Sequence, residues 1–532
     1  MTVLLRSSNQ LADIKSYDFW LAVTGTRPLA NKERMLPELA GRLERAFNNI
    51  SESWWQIACR AAITPSAEYS YALVCSPIAS DFGLMLAWSD LATELATESS
   101  TCLIVCDDPW LFRHIAELAN VQAGPPPPLW PPRLTSLLRG LASRSSLAVR
   151  LSVSSLKLRS QRRNHAGATS FLAVYGHPQS TADGHDAYFG DLMAELPSLG
   201  RLLHTDCPPG MARKLAGDGK TASLHAWGNF LYPLRLLFVR WRPSREDCSG
   251  EFGWLIRRAA ILEGRGAAHA MTAWTRHCLE NWARAVKPEK IAWPWENLPW
   301  ERLLVRMARR HGISSIGYQH ADVGPHQYNM SPSGNPDGLE GIPERIVLNG
   351  KGYKGQLIAW GIPETRMVEG GAFRMAPKSK VCFDAQGPVF VALSGLLPVA
   401  RQMLQAIADI RDSPITFLIK EHPMYPIDFD ESANMQRTNK PLSEQQSVRA
   451  VLFGTGMSGL EGLLAGLPTF RLMLNDRVSI NSLPEQFFAT PVTAEHLLDA
   501  LRQPSIPPEK KWHDLFSPVD LAVWRDVFAA GR

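Results

Sequence analysis

The sequence predicts an α/β protein of parallel strands alternating with helices, in two domains that face a central cleft, with a basic helical insertion in the first domain. Three observations predict it. Short runs rich in Val, Ile, Leu and Phe alternate with longer helix-like stretches in both halves of the chain. Polar, chemically distinctive residues follow those runs, at the strand ends where an open parallel sheet binds ligands. The run RAVLFGTGMSG ends in a glycine-rich turn that leads into a helix-like stretch.

Along the chain, a first α/β segment over 1–125 contains YALVCSPI, GLMLAWSDLATELA, TCLIVCDD and PWLFRHIAELA, which read as strand, helix, strand and helix. Residues 1–70 carry no motif that points to a role. AGPPPPLWPP, 123–132, is a linker, because consecutive prolines continue neither a helix nor a sheet. The segment 126–165 pairs that linker with a basic stretch, in which 133–163 holds eight Lys/Arg and no Asp/Glu. There Leu134, Leu137, Leu138, Leu141, Ala148, Leu151 and Leu158 share one helical face, which makes an amphipathic helix or pair of helices. Such a helix packs on its own domain or docks on the anionic cytoplasmic face of the inner membrane, with nucleic-acid binding a distant third reading.

The alternation resumes over 166–340, the remainder of the first domain. ATSFLAVYGHP and SLGRLLHTD read as strands, and EKIAWPWENLPWERLLVRMARRHGISSIGYQHADVGP as strand, loop, helix and strand. In the second domain, 341–532, PERIVLNG at the boundary, KGQLIAWGI, GPVFVALSG, ITFLIKEHP, RAVLFGTG and PTFRLML are strand-like.

Bulk properties bound the function. The 532 residues exceed one ordinary core, and 45% hydrophobic with 20% charged residues describe a globular protein. A net charge of +5 does not imply nucleic-acid binding. Eight scattered cysteines lack both zinc-ligand spacing and the density of a disulfide scaffold, so reduced thiols in the cytoplasm are expected. Neither a signal peptide nor a spanning apolar run is recognisable, and any membrane contact is expected to be peripheral.

Residues just after the apolar runs are the candidates for chemistry: His177, Glu296 and Asn297, Gln319 and His320, Lys420 to Pro423, and Thr455 to Ser458. Plainer roles compete. Glu296 could cap the helix that follows it, Lys420 and Glu421 could form an exposed pair, and Ser458 with Glu461 could form a capping box. GTGMSG matches the dinucleotide pattern G-x-G-x-x-G, and Asp476 lies where a ribose-binding acid belongs. Too little chain follows Arg471 for a complete dinucleotide fold, so the turn is expected to hold a phosphate of another parent molecule.

IKEHPMYP followed by FGTGMSGLEGLLAGLPTF resembles the C-terminal half of GT-B glycosyltransferases that use CMP-activated acidic sugars, such as the Kdo transferases of capsule and O-antigen assembly and the bacterial polysialyltransferases. That resemblance implies two Rossmann-like domains and gives His422, Pro423 and Ser458 the nucleotide phosphate. Where those families carry adjacent serines, this chain reads Thr455, Gly456, Met457, Ser458. WENLPWERLLVRMARRHG, GYQHADV and PERIVLNGKGYKGQLIAWGIPETRMVEGGAFRM, within a similarity spanning 165–475, resemble bacterial surface carbohydrate biosynthesis proteins.

The expected activity is transfer of a sugar, an ulosonic acid from a CMP donor, to a lipid-linked or growing surface glycan. Lys420, Glu421, His422, Pro423, Thr455, Gly456, Ser458 and Glu461 would form the donor side, and Glu296, Asp191 and His320 would supply the proton acceptor or nucleophile. His177, Asn297, Gln319, Arg374 and Arg471 are expected substrate contacts. No cofactor, no metal and no nucleic-acid partner is expected; Asp428-Phe429-Asp430 is D-x-D only in spelling, in a Pro-flanked loop. A CDP-alcohol-dependent polymer phosphotransferase and a non-catalytic glycan-binding subunit are the alternatives.

Overall fold

The computed structural model describes residues 3–529 apart from 13, 15, 165, 166, 375–380 and 424. The α/β class holds, and every strand pairing in it is parallel. The first sheet contains β1 (Val3–Arg6), β2 (Phe19–Ala22), β3 (Cys102–Val105) and β4 (Val121–Ala123), in the order β2-β3-β1-β4. The second contains β5 (Ser170–Val174), β6 (Leu199–Leu203), β7 (Thr221–Ser223), β8 (Lys290–Pro294), β9 (Ser314–Gln319), β10 (Arg345–Leu348) and β11 (Met367–Glu369), in the order β11-β10-β9-β8-β5-β6-β7.

Beyond a two-stranded ribbon of β12 (Cys382–Phe383) with β16 (Ser447–Val448) stands the third sheet. It holds β13 (Val389–Ala392), β14 (Phe417–Lys420), β15 (Met435–Arg437), β17 (Ala450–Phe453), β18 (Thr469–Met473) and β19 (Thr490–Thr493), ordered β15-β14-β13-β17-β18-β19. SFLAV, VFVA and AVLF are buried along their whole length, as strands covered by helices on both faces must be.

Among the described residues, three larger sheets and the two-stranded ribbon therefore replace the two sheets expected. The segment 1–125 builds a sheet of its own and does not extend the second one. The boundary expected near 340 also moves, because β10 and β11 pair onto β9 and complete the second sheet. The chain then returns from the third unit to the second. Trp524, on the helix Leu521–Ala529, is fully buried against Phe189 and Tyr318, and its indole donates to the Gly370 carbonyl at 3.0 Å.

Two runs read as strands are not strands. In YALVCSPI the chain makes a short 3-10 turn, Ala72–Val74, and Cys75 enters the left-handed region at φ 57°. Its carbonyls accept from the Trp54 indole and the Arg302 guanidinium in place of a neighbouring strand. KGQLIAWGI forms the helix Lys354–Ala359, with Tyr353 and Leu357 turned inward four residues apart, a helical and not a two-residue period.

The basic stretch is one helix, Trp130–Leu158, continued by a 3-10 turn, Arg159–Arg163. Its expected single apolar face divides. Ala148, Leu151 and Leu158 are buried, whereas Leu134, Leu137, Leu138 and Leu141 are exposed.

Candidate active site

A doubly wound sheet opens a crevice at the carboxyl ends of the two strands between which the winding reverses, because the loops there run to opposite faces. In the second sheet those strands are β5 and β8; in the third they are β13 and β17. Most residues singled out from the sequence follow one of these strands or its neighbour.

On the second sheet, Glu296 follows β8 and His320 follows β9, with Glu296 Oε1 3.4 Å from His320 Nε2. The imidazole is buried and the carboxylate is 40% exposed, so Glu296 is the member of the pair that solvent reaches. Tyr188 stands edge-on to His320, with centroids 5.2 Å apart, and edge-on to His177. The Arg374 guanidinium lies 5.0 Å from the centre of the Tyr188 ring, a cation over an aromatic face. Burial lowers the His177 pKa and raises the Tyr188 phenol to about 12; Arg374 adds to the first shift and opposes the second.

Glu296 is aimed by a residue that the sequence reading passed over. Glu301 is buried two residues into the helix Pro299–His311, and its Oε2 accepts from the backbone N–H groups of Glu296 and Asn297, at 2.8 and 2.9 Å, and from the Trp293 indole at 3.0 Å. Burial, reinforced by Glu296, raises the Glu301 carboxyl to about 8. The helix-cap alternative for Glu296 is not what forms, since Glu301 supplies the carboxylate to this turn. Asn297, at φ 55°, is a buried member of the turn whose amide donates to the Asn329 carbonyl. Gln319 is fully buried, donates to the Ala321 carbonyl and accepts from the Asn349 N–H.

Asp191 shares a loop with Tyr188, but its exposed carboxylate pairs with His185 at 2.7 Å.

On the third sheet, Lys420 ends β14 and His422 follows it. Gly395, after β13, sits so close to His422 that a Cβ there would meet the imidazole at 3.2 Å, and a Cβ on Gly454, after β17, would lie 3.7 Å from the Ser394 side chain. The loops after β14, β13 and β17 are therefore contiguous. Thr455, Gly456 and Ser458 form the rim, with Gly456 at φ 116° and open space where a side chain would stand. The Thr455 hydroxyl is buried without a hydrogen-bond partner among the described residues.

Burial lowers the His422 pKa, and the ring stacks on Tyr425 at 5.4 Å. Pro423 is exposed beside it. Glu421 pairs with Arg437, away from this rim. Ser458 opens a helix of only seven residues, Ser458–Leu464, with no side-chain cap, so the expected capping box does not form. Glu461 is raised by burial and lies within electrostatic reach of Asp322, in the loop beyond β9.

Tyr71 lies within electrostatic reach of groups from both units. Burial raises its phenol, and the carboxylates Asp206, Glu301 and Glu296, from the second unit, and Tyr425, from the third, add to the shift in that order. Arg471 stands elsewhere: its guanidinium is buried, bonds Glu44 of the first unit at 2.6 Å and donates to the Ser479 carbonyl at 2.6 Å. Asp476 is engaged by Gln402 and Arg477. Among the described residues, no three His, Cys, Asp or Glu side chains are grouped as metal ligands.

Sequence reasoning missed Tyr188, Glu301, Gly395 and Tyr71. Gly395 had a signal, since VALSG repeats the run-then-glycine pattern of VLFG.

No family model matches the chain, and no curated protein matches it. Among solved structures it is similar to a UDP-N-acetylglucosamine 2-epimerase from Rickettsia bellii, at 10% identity over 68% of this chain and 96% of that one, with a TM-score of 0.39. A UDP-GlcNAc 2-epimerase from Neisseria meningitidis bound to UDP-GlcNAc gives 10% over 68% and 100%, with a TM-score of 0.36. The glycosyltransferase SnogD from Streptomyces nogalater gives 13% over 63% and 92%, with a TM-score of 0.31.

Proposed function

We propose that the cleft transfers a sugar from a nucleotide donor to a hydroxyl of a glycan acceptor. What supports this reading is the content of the loops at the two switch points: a carboxylate–imidazole pair, Glu296 and His320, at one, and a glycine-rimmed turn around His422 and Thr455 to Ser458, suited to hold the donor, at the other. The acceptor hydroxyl gives its proton to Glu296 as its oxygen bonds the anomeric carbon. The bond from that carbon to the donor phosphate breaks, and its electron pair stays on the phosphate oxygen. Backbone N–H groups of the Gly456 turn and the His422 imidazole meet that charge, with Lys420 supplying a cation. His320 acts by holding Glu296 in place.

The finer assignment is an ulosonic acid, Kdo or sialic-acid-like, carried on CMP and added without a metal to a lipid-linked or growing bacterial surface polysaccharide. It rests on the sequence resemblance of IKEHP and FGTGMSG. Thermal shift with a nucleotide panel tests it: CMP and CTP should stabilise the protein where UDP and GDP do not, and indifference to all four would remove the reading. Product analysis separates it from polymer phosphotransfer, which leaves a phosphodiester.

A further inference from the structure

Two stretches of this chain carry cations and no acids. One is 133–163; the other is 219–245, with five Lys/Arg and no Asp/Glu. The fold packs them together. The Ser152 hydroxyl donates to the Phe230 carbonyl at 2.8 Å, and the Arg144 guanidinium to the Val239 carbonyl at 2.7 Å.

Both stretches expose large apolar side chains on the joined surface. On the helix Trp130–Leu158 these include Leu134, Leu138, Leu141, Val149, Val153 and Leu156, which at 3.6 residues per turn fall within about half of the circumference, away from buried Leu147, Leu151 and Leu158. The helix thus has two apolar sides, and the core uses only one. Beside it Phe230, Leu231, Leu234 and Phe238 are exposed, Phe238 by 79%. A cluster of this kind on a protein surface marks a contact.

Arginines flank the cluster. Among the described residues, no carboxylate lies within salt-bridge distance of Arg139, Arg150, Arg159, Arg235 or Arg240. Between the two stretches lies a cleft of about 390 Å³ lined by Arg159, Arg162, Asn229 and Asn281, with Leu156 and Phe230 among its apolar walls. The Asn281 amide is spent on the Trp227 carbonyl and His277, but guanidinium groups and the Asn229 amide beside an apolar surface match a phosphate headgroup whose acyl chains lie alongside.

We infer that this face docks on an anionic lipid bilayer, with Phe230, Leu234 and Phe238 entering the headgroup boundary and the cleft at Arg159 and Arg162 taking a lipid phosphate. A second copy of the chain is a poorer occupant, because a two-fold contact would set this acid-free surface against itself. Nucleic acid would satisfy the arginines and leave the apolar groups unused. No helix among the described residues is long and apolar enough to cross a membrane, so the contact is lateral.

Co-sedimentation of the full chain with vesicles tests this directly. Phosphatidylcholine vesicles containing phosphatidylglycerol should pellet the protein, and phosphatidylcholine alone should not. Leu234→Ser with Phe238→Ser, and separately Arg159→Glu with Arg235→Glu, should each lower partitioning about tenfold or more. All four side chains are exposed, so melting temperature and nucleotide-induced stabilisation should match the parent. Failure to bind phosphatidylglycerol vesicles, or undiminished binding by both double variants, overturns the inference. So does a dimer, seen by light scattering, that the apolar variant abolishes in a protein indifferent to vesicles, or DNA binding tighter than vesicle binding.

Discussion

Glu296 Oε1 lies 3.4 Å from His320 Nε2, with the imidazole buried behind an accessible carboxylate. On the proposed transfer, the accessible member would meet the acceptor and the buried one would stand behind it. Glu296→Gln keeps the shape but loses the proton acceptor, and it should reduce kcat by about 10²–10⁴-fold with donor affinity unchanged. His320→Asn should give a smaller loss of kcat. Steady-state kinetics with isothermal titration of the nucleotide check both, and a Glu296→Gln protein that turns over at the parental rate would exclude Glu296 as the base.

Gly395, after β13, packs against the His422 ring. A methyl group at position 395 would meet the imidazole at 3.2 Å and push it by a few tenths of an ångström. Gly395→Ala should weaken nucleotide binding about tenfold, roughly one lost hydrogen bond, while lowering the melting temperature little. His422→Ala should weaken binding at least as much. Calorimetric titration with CMP distinguishes this from a general loss of fold.

Buried carboxyls set how stability responds to alkali. Burial raises Glu301 to about 8 and Asp322 to about 7, whereas an unfolded chain releases both protons near pH ~4. From about pH 4 to about 8 the folded protein holds protons that the unfolded chain has already given up, and above about pH 6.5 the buried histidines no longer oppose the effect. Unfolding free energy therefore falls as pH rises, by at most about 1.4 kcal/mol per unit for each group still protonated. On the acid side, burial holds His225 and His269 at about 4 and His326 at about 3, so the unfolded chain takes protons that the fold refuses and stability falls with pH. Stability should peak near pH ~6.5. Glu301→Gln should narrow the gap between melting temperatures at the peak and at pH ~8, and an unchanged gap would exclude Glu301 as a source of the alkaline slope.

The strands bearing the site were legible because each is a continuous apolar run ending in an unusual polar residue, as in FLAVYGH, IAWPWEN and VLFGTG. Periodicity carries no such signal for a run like YALVCSPI, where side-chain donors from distant Trp54 and Arg302 replace a neighbouring strand. Glu301 was hidden for a related reason. On the helix WERLLVRMARR it looks like an ordinary first-turn acid, and only the folded turn brings the N–H groups of Glu296 and Asn297 onto it. The first sheet was missed because VLLR and FWLA are four residues long and lie far apart in sequence from β3, which joins them.

Arg471 reaches back to the first unit, where its guanidinium bonds Glu44 at 2.6 Å. His326 joins the same junction, accepting from the Asn481 N–H at 2.9 Å while its other ring nitrogen lies 2.8 Å from the Asn48 side chain. The arginine is buried and Glu44 nearly so, which means that removing either partner strands a charge out of reach of water. Arg471→Ala should cost about 3–5 kcal/mol of unfolding free energy. Replacing both residues, Arg471→Met with Glu44→Gln, should recover much of that loss, since no charge is left unpaired. Nucleotide affinity measured below the melting transition should be close to parental in both proteins, because the guanidinium is held by Glu44 and the Ser479 carbonyl, apart from the proposed donor site. Denaturant titration with CMP calorimetry decides it: a large loss of affinity without a loss of stability would return Arg471 to the substrate side.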